Sequence, residues 1–124
     1  MKYINKSYIK YNQNKYYEIG FIYQYNNYEV MKEYYLDAIG LGNSNAMVYL
    51  GYYYQTIEKN YDLMKKYYLE AIELGNTYAM FYLGYYYEDI EKNYDLMNKY
   101  YMMAIKLNLH QSPKFLMIYY KHIT

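Results

Sequence analysis

Apolar side chains recur along most of the chain at the spacing of one face of an α-helix. Five residues of one stretch stand at positions i, i+3, i+4, i+7 and i+8, namely Ala46, Tyr49, Leu50, Tyr53 and Tyr54. This period is typical of an amphipathic helix, and residues 64–72 repeat it after a short polar break. The pattern predicts helices near residues 14–25, 28–40, 45–57, 61–74, 78–90, 94–107 and 113–121, with a short leading helix within 1–13.

The chain also repeats itself. Residues 45–75 and 78–108 are offset by 33 positions, and 22 of the 31 aligned residues are identical. An earlier copy is two residues shorter, and the deletion lies between Gln24 and Tyr28, since Gly20 aligns with Gly51 at an offset of 31. Because a fixed period of this length indicates a repeat architecture, we divide one domain, residues 1–124, into repeats at about 14–44, 45–77 and 78–110 and a half repeat at 111–121.

Polar residues and glycines mark the ends of the predicted helices. Asn60 and Asn93 stand where the N-caps of two helices are expected. Gly42 and Gly75 follow periodic runs and suit the left-handed backbone position just beyond a helix. Ser112-Pro113 has the pattern of an N-cap followed by proline at the first helical position.

Small residues recur in register in the repeats and predict close packing within each helix pair. They are Ala46, Gly51, Ala71, Ala79, Gly84 and Ala104. We expect them to let paired backbones approach closely, so that a large residue at Gly51 or Gly84 would destabilise the fold by about 1–3 kcal/mol. A pair of 33 residues cannot bury its own apolar stripe, whereas stacked neighbours can.

Three short motifs carry a resemblance to a known family. They are Tyr49-Leu50-Gly51 with Tyr53, then Tyr67-Tyr68 with Ala71, and Gly75-Asn76 with Ala79. Over about residues 14–121 the unit resembles the Sel-one-like repeat, a relative of the tetratricopeptide repeat. It departs from that pattern at Ile72 and Ile105, where the family has alanine, and at residues 55–59, which replace a glycine-containing loop.

The resemblance implies a right-handed α–α superhelix, or solenoid, of about three and a half helix-hairpin repeats. It also implies an adaptor role, since such repeats serve unrelated protein partners. The abundance of tyrosine, asparagine and lysine is similar to that of repeat proteins of giant DNA viruses.

Composition narrows the function classes. The chain has 13 lysines, no arginine and 12 acidic residues, a net charge of +1 that disfavours a nucleic-acid binder. Eight lysines lie in the two ends of the chain, and every acidic residue lies within 16–98. Attraction between the basic ends and the acidic middle is therefore one weaker alternative. RNA binding through lysine and through bases stacked on tyrosine is another. Cysteine is absent, which excludes disulfides and thiolate metal sites. No run of 18 apolar residues predicts a membrane span, and the N-terminus lacks a secretory pattern, so we expect a cytoplasmic protein.

Candidate catalytic groups are sparse. His110 and His122 are twelve residues apart, which is too far for a metal-binding pair on one helix. Ser112 lies close to His110, but its predicted N-cap role explains its position without a catalytic function. The acids near Glu88 and Glu91 follow no calcium-loop spacing, and the glycines form no phosphate-binding run. We therefore expect no enzyme activity, no metal and no cofactor.

The strongest candidate for binding is a second stripe of side chains on the first helix of each repeat. Its matching pairs are Tyr17 and Phe21, Val48 and Tyr52, and Phe81 and Tyr85. In stacked helix pairs the first helices line the concave face, where tyrosine makes an effective anchor for an extended protein or peptide. The alternative is that these side chains pack between neighbouring helices. The predicted function is a non-catalytic scaffold, and the alternative is a self-associating structural protein or a fragment of a longer array.

Overall fold

The structure, a computed structural model, describes residues 6–108, and every regular element in that range is helical. The α-helices are α1 (Lys6–Tyr23), α2 (Tyr28–Gly40), α3 (Ser44–Tyr53), α4 (Tyr61–Glu73), α5 (Thr77–Tyr86) and α6 (Tyr94–Asn108). The prediction of an all-α fold is confirmed for these residues. The predicted helix at 113–121, the half repeat and the cap at Ser112 lie outside the described residues.

Two compact units divide the chain, with the boundary between Glu70 and Ala71. In the first unit, α1 packs on α2 and α2 packs on α3, around a core that includes Met31, Tyr35 and Leu50. In the second unit, α5 packs on α6 and buries Met80 and Leu83. The right-handed superhelix and the single domain over 1–124 stay predictions.

Helix α1 begins earlier than expected. The predicted boundary at residue 14 is wrong, because one uninterrupted helix extends from Lys6 to Tyr23. Its middle is attached to the junction of α2 and α3: Gln13 Nε2 donates to the carbonyl oxygen of Leu41 at 2.9 Å, and Asn43 Nδ2 donates to that of Gln13 at 3.3 Å. These long-range hydrogen bonds favour one continuous helix where the sequence has only a weak apolar stripe.

A Gly-Asn pair joins consecutive repeats: it ends one helix and caps the next. Gly42 and Gly75 adopt φ angles of 90° and 79°, as predicted, and end α2 and α4. After each glycine, the asparagine N–H donates back to the carbonyl of the residue two positions before the last helical residue, and its side-chain oxygen caps the next helix. Asn43 Oδ1 thus accepts from Ala46 N at 2.9 Å, and Asn76 Oδ1 accepts from Ala79 N at 3.1 Å.

The periodicity predicts that α3 and α5 continue to residues 57 and 90, but both α-helices end four residues earlier, at Tyr53 and Tyr86. Each passes into a π-helical turn, Tyr54–Glu58 and Tyr87–Glu91. Each turn ends at a lysine in the left-handed region, Lys59 at φ 54° and Lys92 at φ 57°. The predicted N-caps follow directly: Asn60 Oδ1 accepts from Leu63 N, and Asn93 Oδ1 accepts from Leu96 N, both at 3.2 Å.

The in-register glycines make room for tyrosine rings, whereas the sequence led us to expect the backbone of the paired helix at these positions. A Cβ atom on Gly51 would lie 2.7 Å from Cδ1 of Tyr68. A Cβ atom on Gly84 would lie 2.6 Å from Cδ1 of Tyr101. Because real Cβ atoms do not approach an aromatic carbon so closely, only glycine lets these buried rings lie flat on the helix.

Candidate functional site

In the second stripe, the two residues of each pair differ in exposure. We call the more exposed residue of each pair the outer one and the other the inner one. The outer residue of each pair remains partly accessible to solvent: Phe21 is 44% exposed, Tyr52 40% and Tyr85 44%. The same place in three helices therefore presents an aromatic ring at nearly the same exposure. Aromatic rings held on helices lose little side-chain entropy on binding, and so they are suited to anchor a partner.

The inner residues are less exposed than the outer ones. Tyr17 stacks on Tyr35 with ring centroids 6.2 Å apart, and Phe81 stacks on Tyr101 at 5.7 Å. Val48 is 4% exposed. The ring contacts of Tyr17 and Phe81 and the burial of Val48 agree with the packing alternative for the inner position. The outer rings are the most exposed of the six candidate residues.

Burial also changes the acidity of the inner ring in the first unit. It raises the pKa of Tyr17 to about 12, with a further contribution from the neighbouring Tyr49. The phenol therefore stays protonated at neutral pH and can donate or accept a hydrogen bond, but it is no general base. Stacking and neutral hydrogen bonding are what this stripe can offer chemically.

A cluster at the end of α3 was not anticipated from the sequence. The Tyr54 and Tyr67 rings stack nearly parallel, 5.9 Å apart with 8° between their planes. The Tyr53 hydroxyl donates to Glu58 at 3.1 Å, and Lys32 Nζ lies 3.5 Å from the same carboxylate and 5.3 Å from the Tyr53 ring centroid. The sequence contains a signal for this cluster, because a tyrosine pair with a glutamate five residues after its first tyrosine occurs in two repeats, at Tyr53 with Glu58 and at Tyr86 with Glu91.

The acids weighed above as catalytic or calcium ligands have structural partners. Glu88 accepts from the hydroxyl of Tyr101 at 3.2 Å, and Glu91 accepts from that of Tyr86 at 2.9 Å. Between residues 6 and 108, no three histidine, aspartate or glutamate residues come together in a way that could hold a metal ion. His110 and His122 lie outside that range. Among the six helices, none has the length and apolar character needed to cross a membrane.

Comparison with known proteins gives no further guide to the site. No protein-family model matches the chain, and no curated protein or solved structure matches it either.

Proposed function

We propose that the protein is a non-catalytic scaffold that binds an extended peptide or protein segment through its outer rings. The observation that supports this proposal is the repeated exposure of Phe21, Tyr52 and Tyr85 at equivalent places, each next to a packed inner residue. Exposed aromatic rings on rigid helices are typical anchors of peptide recognition. Within the first unit alone, Phe21 and Tyr52 provide two such anchors on α1 and α3.

Selection of peptides on the purified chain from a random display library would test the proposal. Peptides that bind the outer rings should lose about tenfold or more in affinity with Tyr52→Ala, the loss typical of an interface anchor. Tyr94→Ala is the matched control, because Tyr94 is 57% exposed but lies outside the stripe. Far-UV circular dichroism should be the same for both variants.

The proposal fails if Tyr52→Ala and Tyr94→Ala bind the selected peptides equally well. It also fails if repeated selections enrich no peptide.

Self-association is the second candidate, and an exposed surface on α1 and α2 favours it. Tyr8 and Tyr11 are 60% and 65% exposed on α1, and Leu36 is 46% exposed on α2. An open groove of about 490 Å³ lies between these helices and is lined by Tyr8 and Leu36 among others. In a stack of helix pairs, a neighbouring pair would cover such a face. Light scattering over a range of concentrations tests this candidate, and a strict monomer would contradict it.

A further inference from the structure

One buried tyrosine hydroxyl in the first unit lacks the hydrogen bond that its counterparts make. Tyr68 donates to Gln55 Oε1 at 2.8 Å, and Tyr101 donates to Glu88 Oε1 at 3.2 Å. Tyr35 occupies the same place beneath Gly20 and is fully buried. Among the residues that the structure describes, its hydroxyl has no partner. A buried hydroxyl in that state is unfavourable, and a ligand that supplies an acceptor would relieve it.

The missing partner follows from the two-residue deletion in the first copy. Gln24 aligns with Gln55, the residue that accepts from Tyr68. Gln55 lies in the π-helical turn that follows α3, whereas α1 ends at Tyr23 and Gln24 lies in a short turn. The N–H of Gln24 donates to the carbonyl of Phe21 at 3.3 Å, and its side chain makes no hydrogen bond to Tyr35.

A cavity of about 240 Å³ lies at this point of the first unit, and Tyr35 lines it. Tyrosine rings form most of the wall, including those of Tyr28, Tyr49 and Tyr52, and Met31 adds an apolar surface. Gln24 contributes an amide, and none of the lining residues carries a charge. The cavity therefore has flat apolar walls, and one of its lining residues, Tyr35, carries a buried hydroxyl that has no partner.

Size and electrostatics restrict what could enter. A dry cavity of about 150 Å³ in another protein holds benzene, so this one has space for a single ring with small substituents. Lys32 Nζ lies 5.3 Å from the ring centroid of Tyr53, another lining residue, and would repel a cation. An anion would find no positive side chain on the wall.

We propose that this cavity binds a neutral, single-ring aromatic group whose oxygen accepts a hydrogen bond from Tyr35. This inference is independent of the peptide-binding proposal, although Tyr52 contributes to both surfaces. The bound group belongs either to a small molecule or to an aromatic side chain of a peptide, since both present the same chemistry.

Methyl NMR on methionine-labelled protein tests the proposal with p-cresol as the probe and toluene as the matched control. Met31 lines the cavity, whereas Met64 is equally buried elsewhere in the unit and serves as an internal reference. p-Cresol should shift the Met31 resonance, leave that of Met64 in place, and bind about tenfold more tightly than toluene, which lacks the oxygen. In Tyr35→Phe, the ratio of the two affinities should fall to about one.

N-acetyltyrosinamide separates the two sources of the group. If it shifts Met31 as p-cresol does, the cavity accepts a peptide side chain; if p-cresol alone does so, it accepts a free small molecule. The proposal is overturned if no probe moves Met31, so that water alone occupies the cavity, or if Tyr35→Phe keeps the preference for p-cresol.

A second variant tests the role of the deletion. Replacing residues 24–27 by the six residues that stand at 55–60 should restore the π-helical turn and give Tyr35 a glutamine partner. Binding of p-cresol should then be lost while far-UV circular dichroism and peptide binding by Tyr52 remain. A grafted protein that folds and still binds p-cresol contradicts the cavity proposal. If the graft abolishes the binding of peptides through Tyr52, that result contradicts the peptide-binding proposal and not this one.

Discussion

The end of α1 and the end of α3 are equivalent places that differ in one local structure. After α3, a π-helical turn carries Gln55 to the hydroxyl of the tyrosine that packs on Gly51. After α1, a short turn replaces it, and the tyrosine that packs on Gly20 keeps its ring contact but loses its hydrogen bond.

Ring packing and hydroxyl pairing are therefore separable in this fold. The glycine decides whether the ring fits, because a Cβ atom would collide with it. The turn decides whether the hydroxyl is satisfied, because it positions the acceptor. A change of two residues in a turn can therefore leave the hydroxyl of a packed tyrosine without a hydrogen-bond partner.

The largest effect is expected at alkaline pH, where deprotonation of buried tyrosines in both units should lower the free energy of unfolding. Burial raises the pKa of Tyr35, and burial together with Glu88 raises that of Tyr101. Since the unfolded chain titrates near 10 and loses its protons first, this stabilisation is complete below about pH 10 and falls as the pH rises through the folded values. The urea midpoint, followed by circular dichroism from about pH 8 to about pH 12, should decrease. A flat profile would show that burial does not favour the protonated rings.

Gly51→Val should destabilise the protein by about 2–3 kcal/mol, because its side chain would collide with the Tyr68 ring. Gly20→Val should have a similar effect, since a Cβ atom on Gly20 would lie 2.6 Å from the Tyr35 ring. This variant tests whether ring packing is common to both copies. Gly40→Ala is the control: nothing lies within 4 Å of its Cβ position, so it should be neutral or slightly stabilising. Urea unfolding measures all three, and a neutral Gly51→Val would contradict the packing role.

Tyr68→Phe should destabilise the protein, whereas Tyr35→Phe should not. Removing the Tyr68 hydroxyl deletes its bond to Gln55 and should cost about 1 kcal/mol. Removing the Tyr35 hydroxyl deletes an unpaired buried group and should be neutral or stabilise by up to about 1 kcal/mol. The difference between their unfolding free energies in urea is the measure, and equal losses would show that Tyr35 has a partner.

Lys59→Gly should have the smallest effect, a stabilisation of about 0.5–1 kcal/mol. Lys59 ends the π-helical turn at φ 54°, where a side chain is strained and glycine is not. Lys92→Gly should match it, because Lys92 ends the second turn at φ 57°. Thermal unfolding of both variants checks the expectation, with exposed Lys66→Gly in the interior of α4 as a destabilising control.

Much of the fold was predictable because its signals are local. Helix α2 matches the predicted range, and α4 ends one residue before the predicted boundary. The caps at Asn60 and Asn93 were identified because capping depends on residues three positions apart. The start of α1 was missed because hydrogen bonds to Leu41 and Asn43 support it, and these residues are distant in sequence.

The candidate site was predictable only to the level of a stripe. Helical spacing places Tyr17 and Phe21 on one side of α1, but it gives no information about which of them a neighbouring ring covers. Tyr17 is packed because Tyr35 of α2 stacks on it, while Phe21 lies beyond that contact and stays 44% exposed. The separation into inner and outer positions therefore depends on contacts between helices.

The amino-acid sequence was sufficient to predict most of the helices, the caps at Asn60 and Asn93 and the repeat, because periodicity and capping act over a few residues. The tertiary structure alone decided that Gly20, Gly51 and Gly84 each accommodate a ring and that Tyr35 lacks an acceptor. These features depend on where a side chain of one helix meets another helix, and that position is the sum of many contacts between residues far apart in the chain.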